Sequence, residues 1–240
     1  MVRRRVGLLV PSSNTVMEVD FQRHLPAGTT IHTGRMYLEE TTPEAEAEML
    51  DVHTFPAARG VATARPHVIV FGCTSAGALR GNDYDAELCR RIGAETSTEV
   101  VSVIASVRAA IRRRGGTRVG VFTPYVDALN RKIAASLEDD GLEVAAVFGM
   151  GITENFAIAE VPPEEITDRA AAALGSTAID LAFLSCTNLR AADAAADLES
   201  RLGTPVVTSN LAALEETVRR LDAGAQPGWT GRVAAVDGGR

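Results

Sequence analysis

"RVGLLVP" at residues 5–11 and "RVGVFTP" at residues 118–124 are one motif written twice, a β-type apolar run closed by proline, at a separation of 113 residues. The same offset carries Cys73, in "VFGCTSAG" (70–77), onto Cys186, in "LSCTNLR" (184–190). Both cysteines follow an apolar run and both precede threonine. Further on, "AELCRRIG" (86–93) resembles "ADLESRLG" (196–203) after a three-residue gap. Strand, proline, cysteine and following helix match jointly, which reads as two similar units related by duplication.

Working outward from this repeat, short β-rich runs alternate with longer amphipathic stretches. The runs are 5–10, 30–38, 67–72, 100–103, 118–123, 142–150, 180–185 and 205–209. Helical patterns rich in Ala, Glu, Arg and Leu cover 43–64, 84–95, 104–114, 126–140, 163–174 and 190–202. Such alternation implies an α/β fold: two Rossmann-like halves, each with a parallel sheet, related by a pseudo-twofold axis with the active site in the cleft between them. "RRRGGTR" (112–118) reads as a helix end followed by a crossover. The expected division is therefore 1–114 with 209–240 for the first half and 115–208 for the second.

Composition narrows the function. With 46% apolar and 23% charged residues the chain is that of an ordinary globular protein, and a formal net charge of -7 argues against a nucleic-acid surface. The basic clusters Arg3–Arg5 and Arg112–Arg114 read as solvated element ends. No run approaches the ~20 apolar residues of a membrane span, and Met1 and Val2 lead into arginines rather than a signal-peptide core, so a cytoplasmic protein is expected. Three cysteines and four scattered histidines show no metal-ligand spacing, so neither a metal nor a disulfide framework is expected.

The matched cysteines are the leading site candidates. A free thiol is only about 3% thiolate at pH 7, and a helix start with its N–H groups raises that fraction. Both Cys73 and Cys186 read as placed at such starts, with Thr74, Ser75, Thr187 and Asn188 offering donors to a carboxylate. The other reading is that a cysteine ending a strand packs as a small hydrophobe. Cys89, whose counterpart is Glu199, keeps that structural reading. In "VPSSNTVME" (10–18), Ser12 and Asn14 belong to a polar cluster that serves a helix cap or an anion. Tyr125 occupies the place of Ser12 in the second half and offers either a phenolic donor or packing. Asn155, in "GITENFAIAE" (151–160), is a turn former or a ligand group above the cleft.

At "GLLVPSSNTVME", "FGCTSAG", "TPY", "GITENF" and "SCTN", in that order, the sequence resembles the maleate cis-trans isomerase family. That family belongs to the aspartate/glutamate racemase superfamily, which includes arylmalonate decarboxylase. The resemblance covers most of the chain and implies two Rossmann-like halves and chemistry without metal or organic cofactor. It implies that Cys73 adds to the double bond of maleate and that Cys186 supplies and recovers the proton. Asn14, Tyr125 and Asn155 would then hold the carboxylates, assisted by Thr74, Ser75 and Thr187. Arylmalonate decarboxylases resemble the chain at Thr74, Ser75, Tyr125 and Cys186 but carry glycine where Cys73 stands. Glutamate racemases have two Cys-Thr sites but open on a DSGxGG-type motif, where this chain has "PSSNTV".

The expected partner is a small dicarboxylate, and a homodimer or larger homo-oligomer is expected. Two other activities stay open from the same superfamily: two-cysteine racemisation or epimerisation, and decarboxylation of another small acid. A non-catalytic binding module is disfavoured, since no GxGxxG follows a strand and no GxxxxGK[ST] occurs.

Overall fold

The computed structural model describes residues 4–223, so the expectations that fall on 1–3 and 224–240 lie outside it. Its first sheet is built from β1 (Arg4–Pro11), β2 (Thr29–Met36), β3 (Val68–Phe71) and β4 (Val100–Ser102). Its second is built from β5 (Arg118–Thr123), β6 (Glu143–Gly149), β7 (Leu181–Leu184) and β8 (Val206–Thr208). Every pairing is parallel, and the strand orders β2-β1-β3-β4 and β6-β5-β7-β8 are equivalent. β1 meets β3 from Val6 against Val68 to Leu9 against Phe71, while β5 meets β7 from Val119 against Leu181 to Phe122 against Leu184. The offset read from the sequence is thus the register of the sheets.

Burial follows position in the sheet. β3 and β7 are buried along their whole length and read as continuous apolar runs, because helices cover both faces of a parallel sheet. Of the edge strands, β2 and β6 are largely half-buried, whereas the short β4 and β8 are mostly buried beneath helices.

The first sheet is flanked by α1 (Met17–His24), α2 (Pro43–Glu48), α3 (Thr54–Ala62), α4 (Thr74–Leu79), α5 (Asn82–Thr96) and α6 (Val103–Arg113). α7 (Asp127–Glu138), α8 (Asn155–Glu160), α9 (Pro163–Leu174), α10 (Ala191–Leu202) and α11 (Ser209–Ala223) follow. α11 returns to pack on α6, α1, β3 and β4 of the first half while also touching β8, and α4 packs on α7. At the crossover, Arg114 ends α6 and Gly115 turns the chain with a φ of 73°. The arginine cluster there is paired: Arg112 with Asp140, and Arg113 and Arg114 with Glu215.

One helical expectation needs correction. The single helix expected over 43–64 is α2 and α3 joined by a π-helical turn, Met49–His53. Pro56 stands three residues beyond that turn and has no N–H to continue an α-helical ladder. The wider turn, in which Thr54 N–H reaches Met49 C=O, absorbs the mismatch.

Candidate active site

In each sheet the strand order reverses between its two central strands, the point at which the loops at the carboxyl ends of an open parallel sheet diverge. Four such loops follow β1, β3, β5 and β7 and carry residues 12–16, 72–73, 124–126 and 185–190, with Thr74 and Ser75 opening α4 directly after Cys73. Gly72 allows the third-strand loop to pass close to the first. A Cβ there would stand 2.7 Å from Met17 Sδ and 2.8 Å from the Leu9 carbonyl oxygen, contacts too short to exist.

Cys73 is the N-cap residue of α4, and its Sγ lies 3.8 Å from Ser75 Oγ. Cys186 is held differently. It adopts a φ of 110°, a strained conformation for a residue with a Cβ, at the turn before α10. Its Sγ accepts the Asn188 N–H at 3.3 Å and lies within hydrogen-bonding reach of the Tyr125 hydroxyl and the Leu189 N–H. The helix start expected at Cys186 is therefore a turn: α10 begins only at Ala191. Ser209, the first residue of α11, ties both cysteine loops together. Its Oγ accepts from Thr74 Oγ1 at 2.9 Å and from the Cys186 N–H at 3.1 Å.

The two thiols and Tyr125 occupy one site, since each thiol's charge acts on the buried Tyr125 phenol and that of Cys186 acts on Cys73. Both cysteines are only 5% exposed, and desolvation is the largest influence on each. It pushes Cys186 up to about 11, against the lowering effect of Tyr125 and the N–H groups of Asn188 and Leu189. Cys73 is pushed well above its usual value by burial first and by the charge of Glu46 second. The expectation that helix starts would depress both thiols is thus overturned: burial outweighs the nearby donors, and both rest protonated at neutral pH.

The remaining predicted residues form a polar clasp between the halves. Asn14 Oδ1 accepts from the N–H groups of Val16 and Met17, capping α1, while its Nδ2 donates to Thr187 Oγ1 at 3.0 Å. Thr187 Oγ1 donates in turn to the Gly72 carbonyl at 3.0 Å. Asn188 accepts the Thr15 N–H at 2.9 Å and donates to the Asn155 carbonyl at 2.6 Å. The Asn155 side chain donates to Ser13 Oγ at 2.7 Å and accepts from Thr41 Oγ1 at 3.1 Å. Ser12 is bound to the backbone of Leu38 through its hydroxyl. Asn14, Asn155, Thr187 and Asn188 are all buried; Asn14 serves the start of α1 as the cap reading has it, whereas Asn155 is the first residue of α8 rather than a turn former.

Sequence reasoning missed Glu46, Ser13, Thr41 and Ser209. Glu46, on α2, is fully buried, accepts from Ser75 Oγ, and acts on both thiols. Helical spacing could have singled it out: in "PEAEAE", Glu44 and Glu48 share one face and Glu46 points to the opposite one. Cys89 stays apart from this site, half-buried on α5 beside a cleft of about 400 Å³ that neither Cys73 nor Cys186 lines. Among the described residues no cluster of His, Cys, Asp and Glu is arranged to hold a metal ion, and no helix is long and apolar enough to cross a membrane.

This geometry, two buried thiols with a phenol between loops of twin sheets, can be set beside known proteins. The chain is 26% identical to a maleate isomerase of Nocardia farcinica, over 98% of this chain and 96% of the relative. It is 29% identical to an arylmalonate decarboxylase of Bordetella bronchiseptica, over 93% of this chain and 94% of the relative. Its fold superposes on the crystal structure of the maleate isomerase Iso from Pseudomonas putida S16 with a TM-score of 0.85 and 26% identity, covering 92% of this chain and 94% of that one. A cysteine-to-serine mutant of the Nocardia farcinica maleate cis-trans isomerase, solved with a covalently bound succinylcysteine intermediate, superposes with a TM-score of 0.83 at 25% identity, covering 92% of this chain and 94% of that one. The arylmalonate decarboxylase family model matches residues 6–234. With a family model that spans nearly the whole described chain and a fold that superposes on its relatives, the chain belongs to the arylmalonate decarboxylase family of enzymes.

Proposed function

We propose that the protein is a cis-trans isomerase of a small dicarboxylate, with maleate to fumarate as its reaction. What supports this reading is the pair of buried thiols, Cys73 and Cys186, with Cys186 acting on Cys73 and both acting on Tyr125. Because both thiols rest protonated, Cys73 first gives up its proton to solvent as the substrate enters, and it then reacts as the thiolate while Cys186 stays the thiol. The Cys73 sulfur bonds to one alkene carbon, the π pair takes the Cys186 proton at the other carbon, and a thioether of succinate remains. The former double bond is now single and rotates. Cys186 thiolate then removes the proton, the carbon–sulfur bond breaks, and the trans acid leaves with the Cys73 thiolate and the Cys186 thiol restored.

Tyr125, whose hydroxyl donates towards Cys186, supports that thiolate while it exists. A preorganised donor aimed at developing charge contributes about 3 kcal/mol. A sulfur at position 73 is what favours isomerisation over decarboxylation, because the decarboxylases that the sequence resembles have glycine there.

Proton NMR of small dicarboxylates in deuterated water tests the reading with the wild type, Cys73→Ser and Cys186→Ser. Fumarate from maleate with the wild type and from neither variant supports it. Undiminished turnover in either variant, or release of carbon dioxide from a malonate with no isomerisation, contradicts it.

A further inference from the structure

The catalytic scheme leaves unused a buried acid that acts on both thiols. Glu46 is completely buried; its Oε1 accepts from Ser75 Oγ, and Ser75 Oγ is itself 3.8 Å from Cys73 Sγ. Its second oxygen, Oε2, has no hydrogen-bond partner among the described residues. A carboxyl in this state is uncompensated whichever form it takes, and the neutral form costs far less. Burial duly raises Glu46 to about 8, with the Ser75 hydrogen bond as the opposing influence, so the acid is protonated at pH 7.

The titratable groups that feel its charge are Cys73, Cys186 and Tyr125. α4, on which α2 packs, holds no charged residue, and the π-helical turn beyond α2 holds Asp51, paired with Arg80 at the surface, and His53, whose ring meets Tyr37. Nothing cationic thus joins Glu46 to offset an ionised form.

We infer that Glu46 is a carboxylate-binding residue of the site: its protonated Oε2 donates a hydrogen bond to a carboxylate of the acid held beside Cys73, while Oε1 stays on Ser75. This rests on the reading of Cys73 as a nucleophile towards a small carboxylate. Ionised, Glu46 becomes an acceptor and repels the same group. Glutamine at 46 mimics the protonated acid permanently, its carbonyl accepting from Ser75 and its amide donating.

The test needs no knowledge of the substrate. Iodoacetate and iodoacetamide both alkylate a thiolate with loss of iodide, but only iodoacetate carries a carboxylate. The ratio of their rates at Cys73, followed by peptide mass spectrometry, cancels the thiolate fraction. In the wild type the ratio falls about tenfold from pH 7 to pH 9, following the protonated fraction of Glu46. In Glu46→Gln it stays level at the pH 7 wild-type value. In Glu46→Leu it is low throughout, by about tenfold at pH 7, as a charge-assisted hydrogen bond is lost.

A level ratio in the wild type, an equal fall in Glu46→Gln, or a Glu46→Leu ratio equal to the wild type at pH 7 overturns the inference. Each of these leaves the role of Cys73 standing as long as iodoacetamide still reacts there. A Cys73 inert to both reagents in the wild type overturns the nucleophile reading and this inference with it.

Discussion

Replacing Thr187 by valine keeps the shape of the side chain and removes only its hydroxyl, which makes it a clean probe of the clasp between the halves. That oxygen accepts from Asn14 Nδ2 and donates to the Gly72 carbonyl, and all three residues are buried. A buried hydrogen bond contributes about 1 kcal/mol, and stranding a buried donor adds to the loss. Thr187→Val should therefore destabilise the protein by roughly 2 to 3 kcal/mol. Urea denaturation followed by circular dichroism reads this as a midpoint lowered by about 1 M at an unchanged slope. A double-mutant cycle with Asn14→Ala isolates the pair and should return a coupling of about 1 kcal/mol. A loss below about 0.5 kcal/mol, or strict additivity with Asn14→Ala, would refute the claim that this pair clamps β1's loop to β7's.

Tyr125→Phe retains the buried ring and deletes the donor to Cys186, so turnover should fall about 10² to 10³-fold with little change in KM, measured by steady-state kinetics. Alkylation of Cys186 should shift to higher pH in the same variant. Stability should also reveal Glu46. Its folded value is raised from 4.5 to about 8, so the native state holds the proton longer than the unfolded chain and stability falls as pH rises across that window. Glu46→Gln removes this penalty and should gain about 4 kcal/mol over the wild type at pH 8 and under about 1 kcal/mol at pH 5, read by urea denaturation at the two pH values.

The repeat was legible because a parallel sheet writes its central strands as apolar runs, and duplication fixed their spacing. Val6 to Pro11 and Val119 to Pro124 thus predicted a register that the two sheets share. The cysteines were legible through the same offset. Their electrostatics were not, because burial is a property of the packed molecule: a helix start at Cys73 is visible in "CTSAG", but the desolvation that overrides it is not. Cys186 illustrates the converse, since its φ of 110° replaces the expected helix start by a turn that no spacing announced.

The clasp is of the same kind. Asn14 reads as a cap and is one, while its second bond, to a threonine 173 positions away, exists only in three dimensions. Glu46 was hidden among Glu44 and Glu48 in a segment that looks wholly solvated. In α11, Leu211, Leu214, Val218 and Leu221 recur at helical spacing.

Central to this account is the division of labour between two sulfurs, one bonding to carbon and the other moving the proton. Cys186→Ser incubated with maleate and then digested for mass spectrometry examines it directly. The account predicts a succinyl group on the peptide containing Cys73, absent when Cys73 is also replaced by serine. An unmodified Cys73 peptide in a folded variant whose wild type makes fumarate would contradict it.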